Sequence, residues 1–380
     1  MIIEIPKKRL DKVDEIAIHH GFRFTEIPSL QTKKETMLSP EEKNHVIKNY
    51  KKISGSNSNN SNPLMLYYDQ PILINKIQKF NPRTHKIVHL DVIGVHNSIA
   101  EAMIINTASK ILKDEGYNNY FIDINCTGDK ESLSRFIEEL SNYYKKNSEV
   151  FPCNCKNRLE KNNFSFAHCD DENCKELINN APKPINFLSE KSRQHFKEVL
   201  EYLEDMSIPY RVNTELTSEN NHYSKTVFEI KISNENAEEI VLAKGGRYDD
   251  VANKIAQKRN LPAVGLTMLY KRKLTNKAYS NKIEKPQIFL VQFGFKAKLK
   301  SFEVIDILRQ NRVTVHQKLY KNKLSDQFLI AKKMKVPYMI IIGQKEAQDD
   351  EIIFRNMIDV THEVVKINKL IQYLKKIHLV

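Results

Sequence analysis

Three short runs decide the fold: TVFEI at Thr226–Ile230, AKGGRYDD at Ala243–Asp250, and PAVGLTMLYKR at Pro262–Arg272. The first alternates apolar and polar positions and is rich in β-branched and aromatic side chains, so it reads as strand. The second ends a strand beginning near Glu238 in what reads as a tight glycine turn, and GRYDDVANKIA then starts a helix. Paired glycines let a backbone approach a ligand closely, and an arginine and a tyrosine follow at once. The VGLTMLY run fits a buried strand or a buried helix by pattern alone.

Upstream, LMLYYDQPILINKI from Leu64 and HKIVHLDVIGV from His85 read as strands, and YFIDINC (Tyr120–Cys126) as another. Ile99–Glu115 is an amphipathic helix ending at Gly116, and Leu10, Val13, Ile16 and Ala17 share one face of an earlier helix. A helix over Lys191–Glu204 leads to a strand at YRVN. Low complexity occurs once, in SGSNSNNSN at Ser54–Asn62. Beyond a charged break near Lys282–Pro286 the rhythm changes. QIFLVQF, VTVHQKL, YMIIIG and EIIFRNM read as strands, with helices at FEVIDILRQ, LSDQFLIAKKM and VVKINKLIQYLKKI. That alternation predicts a small α/β domain behind an α+β body with antiparallel strands.

Composition narrows the function. Of 380 residues, 41% are hydrophobic, enough for real cores, and 60 Lys+Arg against 47 Asp+Glu give a formal charge of +13. Such an excess suits a polyanionic partner, nucleic acid first and an anionic membrane surface second, or else a solvated lysine-rich surface. No run approaches the roughly 20 apolar residues of a membrane helix. The charged start MIIEIPKKRLDK does not resemble a signal peptide, so a cytoplasmic chain with no membrane association is expected. Five cysteines make no disulfide framework. Cys153, Cys155, Cys169 and Cys174 are candidate ligands of a structural zinc, with His168 as a substitute. Four reduced thiols in a divergent insertion is the competing reading, because C-x-C is tighter than common zinc spacing.

The three opening runs, in that order, resemble histidyl-tRNA synthetase, a class II aminoacyl-tRNA synthetase. The likeness extends to GFRFTEIPSL around Pro28 (similar to the dimer-forming motif 1), HLDVIGVHNS, FIDINCTGD, CKNRLEK, HCDDENC, NNAPKPINFL and the C-terminal LSDQFLIAKKMKVPYMIIIGQKE with IIFRNM. It implies an α+β fold: a class II antiparallel-sheet core over 1–150 and 181–280, a Cys-bearing insertion over 151–180, and an anticodon-binding-like α/β domain over 285–380. It implies a homodimer, tRNA or a related RNA as partner, and ATP as cofactor only if the active site is competent. Arg272 matches the motif 3 arginine. Glu41, Tyr223, Gly245, Gly246, Arg247 and Tyr248 are the implied residues for nucleotide and amino acid.

The departures carry as much information. The motif 2 arginine falls on Leu73 and its glutamate on Asn75, with Lys76 and Arg83 as the nearest substitutes. The arginine most tied to histidine activation falls on Ser218, and the arginine preceding Glu41 on Ser39. The amine-binding acid falls on Met103, and the motif 3 glycine and glutamate on Leu269 and Lys271. The N-terminal K-G-T-x-D segment has no counterpart. These losses imply a chain inactive in amino-acid activation that acts as a tRNA- or RNA-binding accessory or regulatory protein. The alternative is a divergent active histidine–tRNA ligase. A synthetase-like regulatory subunit of ATP phosphoribosyltransferase would lack the C-terminal domain, whose presence argues against that reading. In that domain Lys318, Lys321 and Lys323 are the expected RNA contacts, within a wider set of Lys296, Lys298, Lys300, Arg309, Arg312, Lys332, Lys333 and Lys335, and Phe295 and Tyr320 are candidates to stack on bases.

Overall fold

The computed structural model describes residues 10–26, 46–48, 50, 63–69, 84–149, 171–216, 223–234, 236–258, 260–273 and 285–379. Helix α1 (Lys12–His19) is capped by Asp11, whose carboxylate accepts from Val13 N at 3.0 Å and Asp14 N at 3.1 Å. Next come β1 (Arg23–Phe24), β2 (Leu64–Tyr68) and β3 (His85–Ile93), then α2 (Ile99–Asp114), apolar on most sides and buried along nearly its whole length. After β4 (Tyr120–Cys126) lie α3 (Lys130–Lys146), α4 (Glu172–Asn180) and α5 (Glu190–Asp205). Strands β5 (Tyr210–Val212), β6 (Thr226–Ser233) and β7 (Glu239–Arg247), helix α6 (Asp249–Ala256) and strand β8 (Ala263–Lys271) complete the body.

These eight strands form one sheet in the order β1-β2-β3-β8-β7-β6-β4-β5. Every internal pairing from β2 to β4 is antiparallel, and only the two edge pairings are parallel. One face carries Val88, Leu90, Val92, Leu266, Met268, Phe228 and Ile124, which pack with α1, α2 and α5 in the main core. The opposite face carries a second cluster with Leu64, Leu66, Tyr68, Ile93 and Tyr248. Strand β2 is therefore buried at all five positions instead of alternating, because both of its faces are covered.

The C-terminal domain follows the predicted alternation: β9 (Ile288–Gln292), α7 (Phe295–Gln310), β10 (Val315–Gln317), α8 (Leu324–Met334), β11 (Tyr338–Ile342), α9 (Gln344–Gln348), β12 (Glu351–Asn356), β13 (His362–Lys366) and α10 (Leu370–Lys376). Its sheet order is β10-β9-β11-β12-β13, parallel on one side and antiparallel on the other. The last helix starts later than its periodicity suggests, because Val364–Lys366 pair with β12 as a fifth strand.

Three further readings change. Gly245 and Gly246 do not form a turn: both lie inside β7, without positive φ. Their missing side chains make room for neighbours. A Cβ on Gly245 would meet the Phe228 ring at 2.5 Å, and one on Gly246 the Tyr223 ring at 2.6 Å. Helix α3 is absent from the sequence reading, although Leu133, Phe136, Leu140 and Tyr144 hold a helical spacing and Asp129 caps it by accepting from Ser132 N at 3.0 Å. The end of the Cys-bearing segment, given no element in the sequence reading, is helical in α4, which Asp171 caps.

The two sheets meet along a polar seam. Gln317 Nε2 donates to His20 O at 2.8 Å, and Gly21 leaves room for it, since a Cβ there would lie 2.7 Å from that nitrogen. Asp306 on α7 receives Lys110 from α2 and Arg309 at 3.1 Å, and Arg309 also reaches Asp114 at 3.3 Å. Tyr202 and Phe295 pack ring to ring at 4.5 Å. His20 is buried here, and among the described residues neither ring nitrogen has a hydrogen-bond partner. Burial, with Arg309 and Lys110 acting against Asp306, pushes its pKa down to about 3.

A histidine that titrates normally when unfolded but only near pH 3 when folded leaves stability full above about pH 6.5 and erodes it as pH falls toward 3. One such group contributes a slope of about 1.4 kcal/mol per pH unit inside that window. The expected outcome is that His20→Leu shows a shallower loss of urea midpoint between pH 7 and pH 4.5 than the parent. Parallel profiles would show that this ring does not drive the acid sensitivity.

Candidate functional site

The alternation of side chains along each strand sorts the sheet into two functional faces. On the face away from α2, a row of polar residues crosses six strands in register: His89 opposite Thr267, Thr267 opposite Lys244, Lys244 opposite Glu229, Glu229 opposite Asp123, and Asp123 opposite Arg211. Tyr68 continues the row, its ring stacked on His89 at 4.4 Å. His89 Nδ1 lies 2.9 Å from Thr267 Oγ1. One position along, Asp91 is fully buried and accepts from Tyr248 OH at 2.7 Å.

Charge on this floor is matched residue by residue. Lys244 reaches Glu229 at 3.2 Å; Lys231 reaches Asp123 at 2.7 Å and Glu229 at 3.3 Å; Arg211 forks onto Asp123 and contacts Glu239 at 2.8 Å. Burial opposes ionisation of Asp123, but its bonds from Arg211, Lys231 and Asn213 hold it below the usual carboxylate range. Lys225 is likewise taken by Asp249 at 2.9 Å. A row of this kind stabilises the sheet while presenting little net field to an anion.

The expected nucleotide and amino-acid residues divide between the faces. Tyr223 and Gly246 pack together on the floor, and Tyr248 meets Asp91 there. Gly245 faces the other side, under Phe228. Arg247 also points to the α2 side, with 0% exposure, and forks onto Glu101 of α2 at 2.8 and 2.7 Å. Its remaining nitrogen donates to Val95 O at 3.1 Å and contacts Asp249 at 3.4 Å. His195 of α5 lies 2.8 Å from the same Glu101. Burial alone would raise the Glu101 carboxyl, but Arg247 and His195 outweigh it and keep it well below the usual carboxylate range.

Arg272, just past β8, reaches Asp11 at 3.4 Å, a carboxylate that also receives Lys86. Register places Arg247 opposite Val264, eight residues from Arg272, so about 25 Å of strand separates them. Leu269 and Ile87 form a directly opposed aliphatic pair on the floor, with Lys271 exposed beyond them. Met103 is buried in the main core beneath the opposite face. Glu41, Leu73, Asn75, Ser218 and Pro28 lie outside the described residues, as do Cys153, Cys155 and Cys169. Cys174 is buried on α4 against Leu140, Tyr144 and Ala181. Sequence reading missed Asp91, His89 and Thr267; alternation within HKIVHLDVIGV was the signal that sets His89 and Asp91 on one face.

The C-terminal cations also separate by role. Arg309 is committed to the seam, Lys298 donates to Asn322 Oδ1 at 2.7 Å, and Lys300 pairs with Glu303 at 2.9 Å and Asp350 at 2.6 Å. Phe295 belongs to the seam rather than to an open surface. Lys323 is exposed and Lys318 and Lys321 are half-buried, on one loop between β10 and α8. Among the described residues no helix is long and apolar enough to cross a membrane.

Residues 287–377 match the family model of the anticodon binding domain. The chain is 28% identical over 287 residues to a histidine–tRNA ligase of Caldicellulosiruptor bescii, covering 74% of this chain and 68% of that one. It is 26% identical over 332 residues to the histidine–tRNA ligase of Clostridium botulinum, covering 85% and 78%. The crystal structure of apo S. aureus histidyl-tRNA synthetase aligns over 98% of this chain and 100% of that one, with TM-score 0.51 and 21% identity, a likeness of fold.

Removing one member of a fully buried ion pair leaves the other charge desolvated and unmatched, at a cost of about 3–5 kcal/mol. Arg247→Met and Glu101→Gln are each expected to lower stability by that amount in urea unfolding, and Arg247→Met with Glu101→Leu by clearly less than the sum. Because Glu101 is held ionised, the parent's advantage over Glu101→Gln is full above the ordinary carboxylate range and fades as pH falls below it. Additive losses would place the two side chains apart.

Proposed function

We propose that this divergent histidyl-tRNA synthetase-like chain binds tRNA, or an RNA folded like it, through its anticodon-binding domain, and does not activate histidine. The observation that carries the proposal is the charge balance of the sheet floor. Adenylation requires free cations to hold a triphosphate and to take up charge as pyrophosphate leaves. Among the described residues, Lys225, Lys231, Lys244, Arg211, Arg247 and Arg272 each have a carboxylate partner. The two positions expected to supply further arginines hold Leu73 and Ser218.

Loss of a single transition-state donor lowers turnover by about 100- to 1000-fold, so several such losses leave activation negligible. The anticodon-binding domain keeps its cationic loop, and the reading is an accessory or regulatory RNA-binding protein. The competing reading, a divergent active ligase, is supported by what its relatives are called.

Pyrophosphate exchange into ATP with histidine is expected at the no-protein background, and exchange above it would overturn the loss of activity. Affinity for tRNA is expected to drop steeply between about 50 and 200 mM salt. Replacing Lys321→Glu and Lys323→Glu together is expected to weaken binding at least several-fold at low salt, measured by filter binding. Unchanged affinity would place the RNA on another face.

A further inference from the structure

A group of cations gathers where the edges of the two sheets meet. Arg23 lies on β1, the edge strand of the large sheet; His316 and Lys318 lie in and just after β10, the edge strand of the small sheet; Lys321 follows on the next turn. The Gln317 bond to His20 O holds these two edges together, with Gly21 leaving room for it. Among the described residues neither Arg23 nor Lys318 has an ion-pair partner, and Lys321 has only Asp326 at 3.7 Å. His316 Nε2 is buried with no hydrogen-bond partner among the described residues. Lys318 Nζ sits 5.6 Å above the Tyr320 ring, whose packing against the core limits how far the ammonium can swing away.

The cost of this arrangement appears in the titration of its members. Burial first, then Arg23 and Lys321, push the Lys318 ammonium down to about 8. Burial, with Lys318 and Arg23, pushes His316 down to about 3. Like charges brought together with only Asp326 as counter-charge raise the free energy of the unliganded protein, and an anion between them would relieve it.

We propose that Arg23, Lys318 and Lys321 form a phosphate clamp across the junction of the two domains, taking a backbone phosphodiester of the bound RNA. The guanidinium supplies two parallel donors that match phosphate oxygens, and the ammoniums act as point charges beside it. RNA held there touches both sheets at once, so the body contributes to affinity and does not merely carry the anticodon-binding domain. This rests on the RNA-binding reading above.

The test uses the full chain and labelled unfractionated tRNA, comparing the parent with Arg23→Gln, Lys318→Gln, both together, Lys318→Arg, and Lys375→Gln on the exposed last helix as control, each checked for an unchanged melting curve. Arg23→Gln and Lys318→Gln are each expected to weaken binding about fivefold at low salt and to reduce the salt slope by about 0.7–0.9. The double variant is expected to lose less than the product, because both side chains serve one phosphate. From pH 7 to 9 the parent's affinity falls as Lys318 loses its proton, whereas Lys318→Arg keeps its charge and its affinity. If the parent binds tRNA and Arg23→Gln behaves like the control, the clamp is overturned and the RNA reading stands. If the parent binds no tRNA, or binds only anionic vesicles, the RNA reading falls and the clamp with it.

Discussion

The buried fork between Arg247 and Glu101 joins the large sheet to the helix layer beneath it. Both side chains are withdrawn from water, so each is tolerable only because the other is present and because His195, Val95 O and Asp249 occupy the remaining donors and acceptors. The geometry depends on β7 running straight past two glycines, which let Phe228 and Tyr223 close on the strand from either side. An arginine following a glycine pair has the composition of a ligand-gripping loop. Here its direction is set by strand parity, and it contributes to cohesion.

The same principle explains the character of the floor. Six strands bring a row of charged and polar side chains into register, and the row neutralises itself through Lys244–Glu229, Lys231–Asp123 and Arg211–Asp123. The net charge of +13 is therefore not spread evenly. Asp123, Glu229 and Asp306 are paired on the floor and the interdomain seam, whereas among the described residues Arg23 and Lys318, where the two sheet edges meet, have no ion-pair partner.

Much of this fold was legible from local pattern. Helices α1, α2, α5 and α8 and nearly every strand follow from periodicities of 3.6 and 2, because burying one face of each element is what the chain must do to fold. The readings that changed share a cause. The glycine pair reads as a turn only if its neighbours are ignored; Val364–Lys366 reads as helix until β12 offers hydrogen bonds; α3 is amphipathic but so polar that its apolar positions are easily passed over. In each case a partner distant in sequence decided a locally ambiguous segment.

The sequence by itself determined the class of architecture, the division into body and C-terminal domain, and the excess of positive charge. Those are properties of residue identity and spacing, and they survive any packing. Tertiary structure alone decided which cations are free. Whether Arg247, Arg272, Lys231 or Lys318 meets a carboxylate depends on strand register and on how two sheets abut, and an ammonium or guanidinium takes its chemistry from what lies within a few ångströms of it.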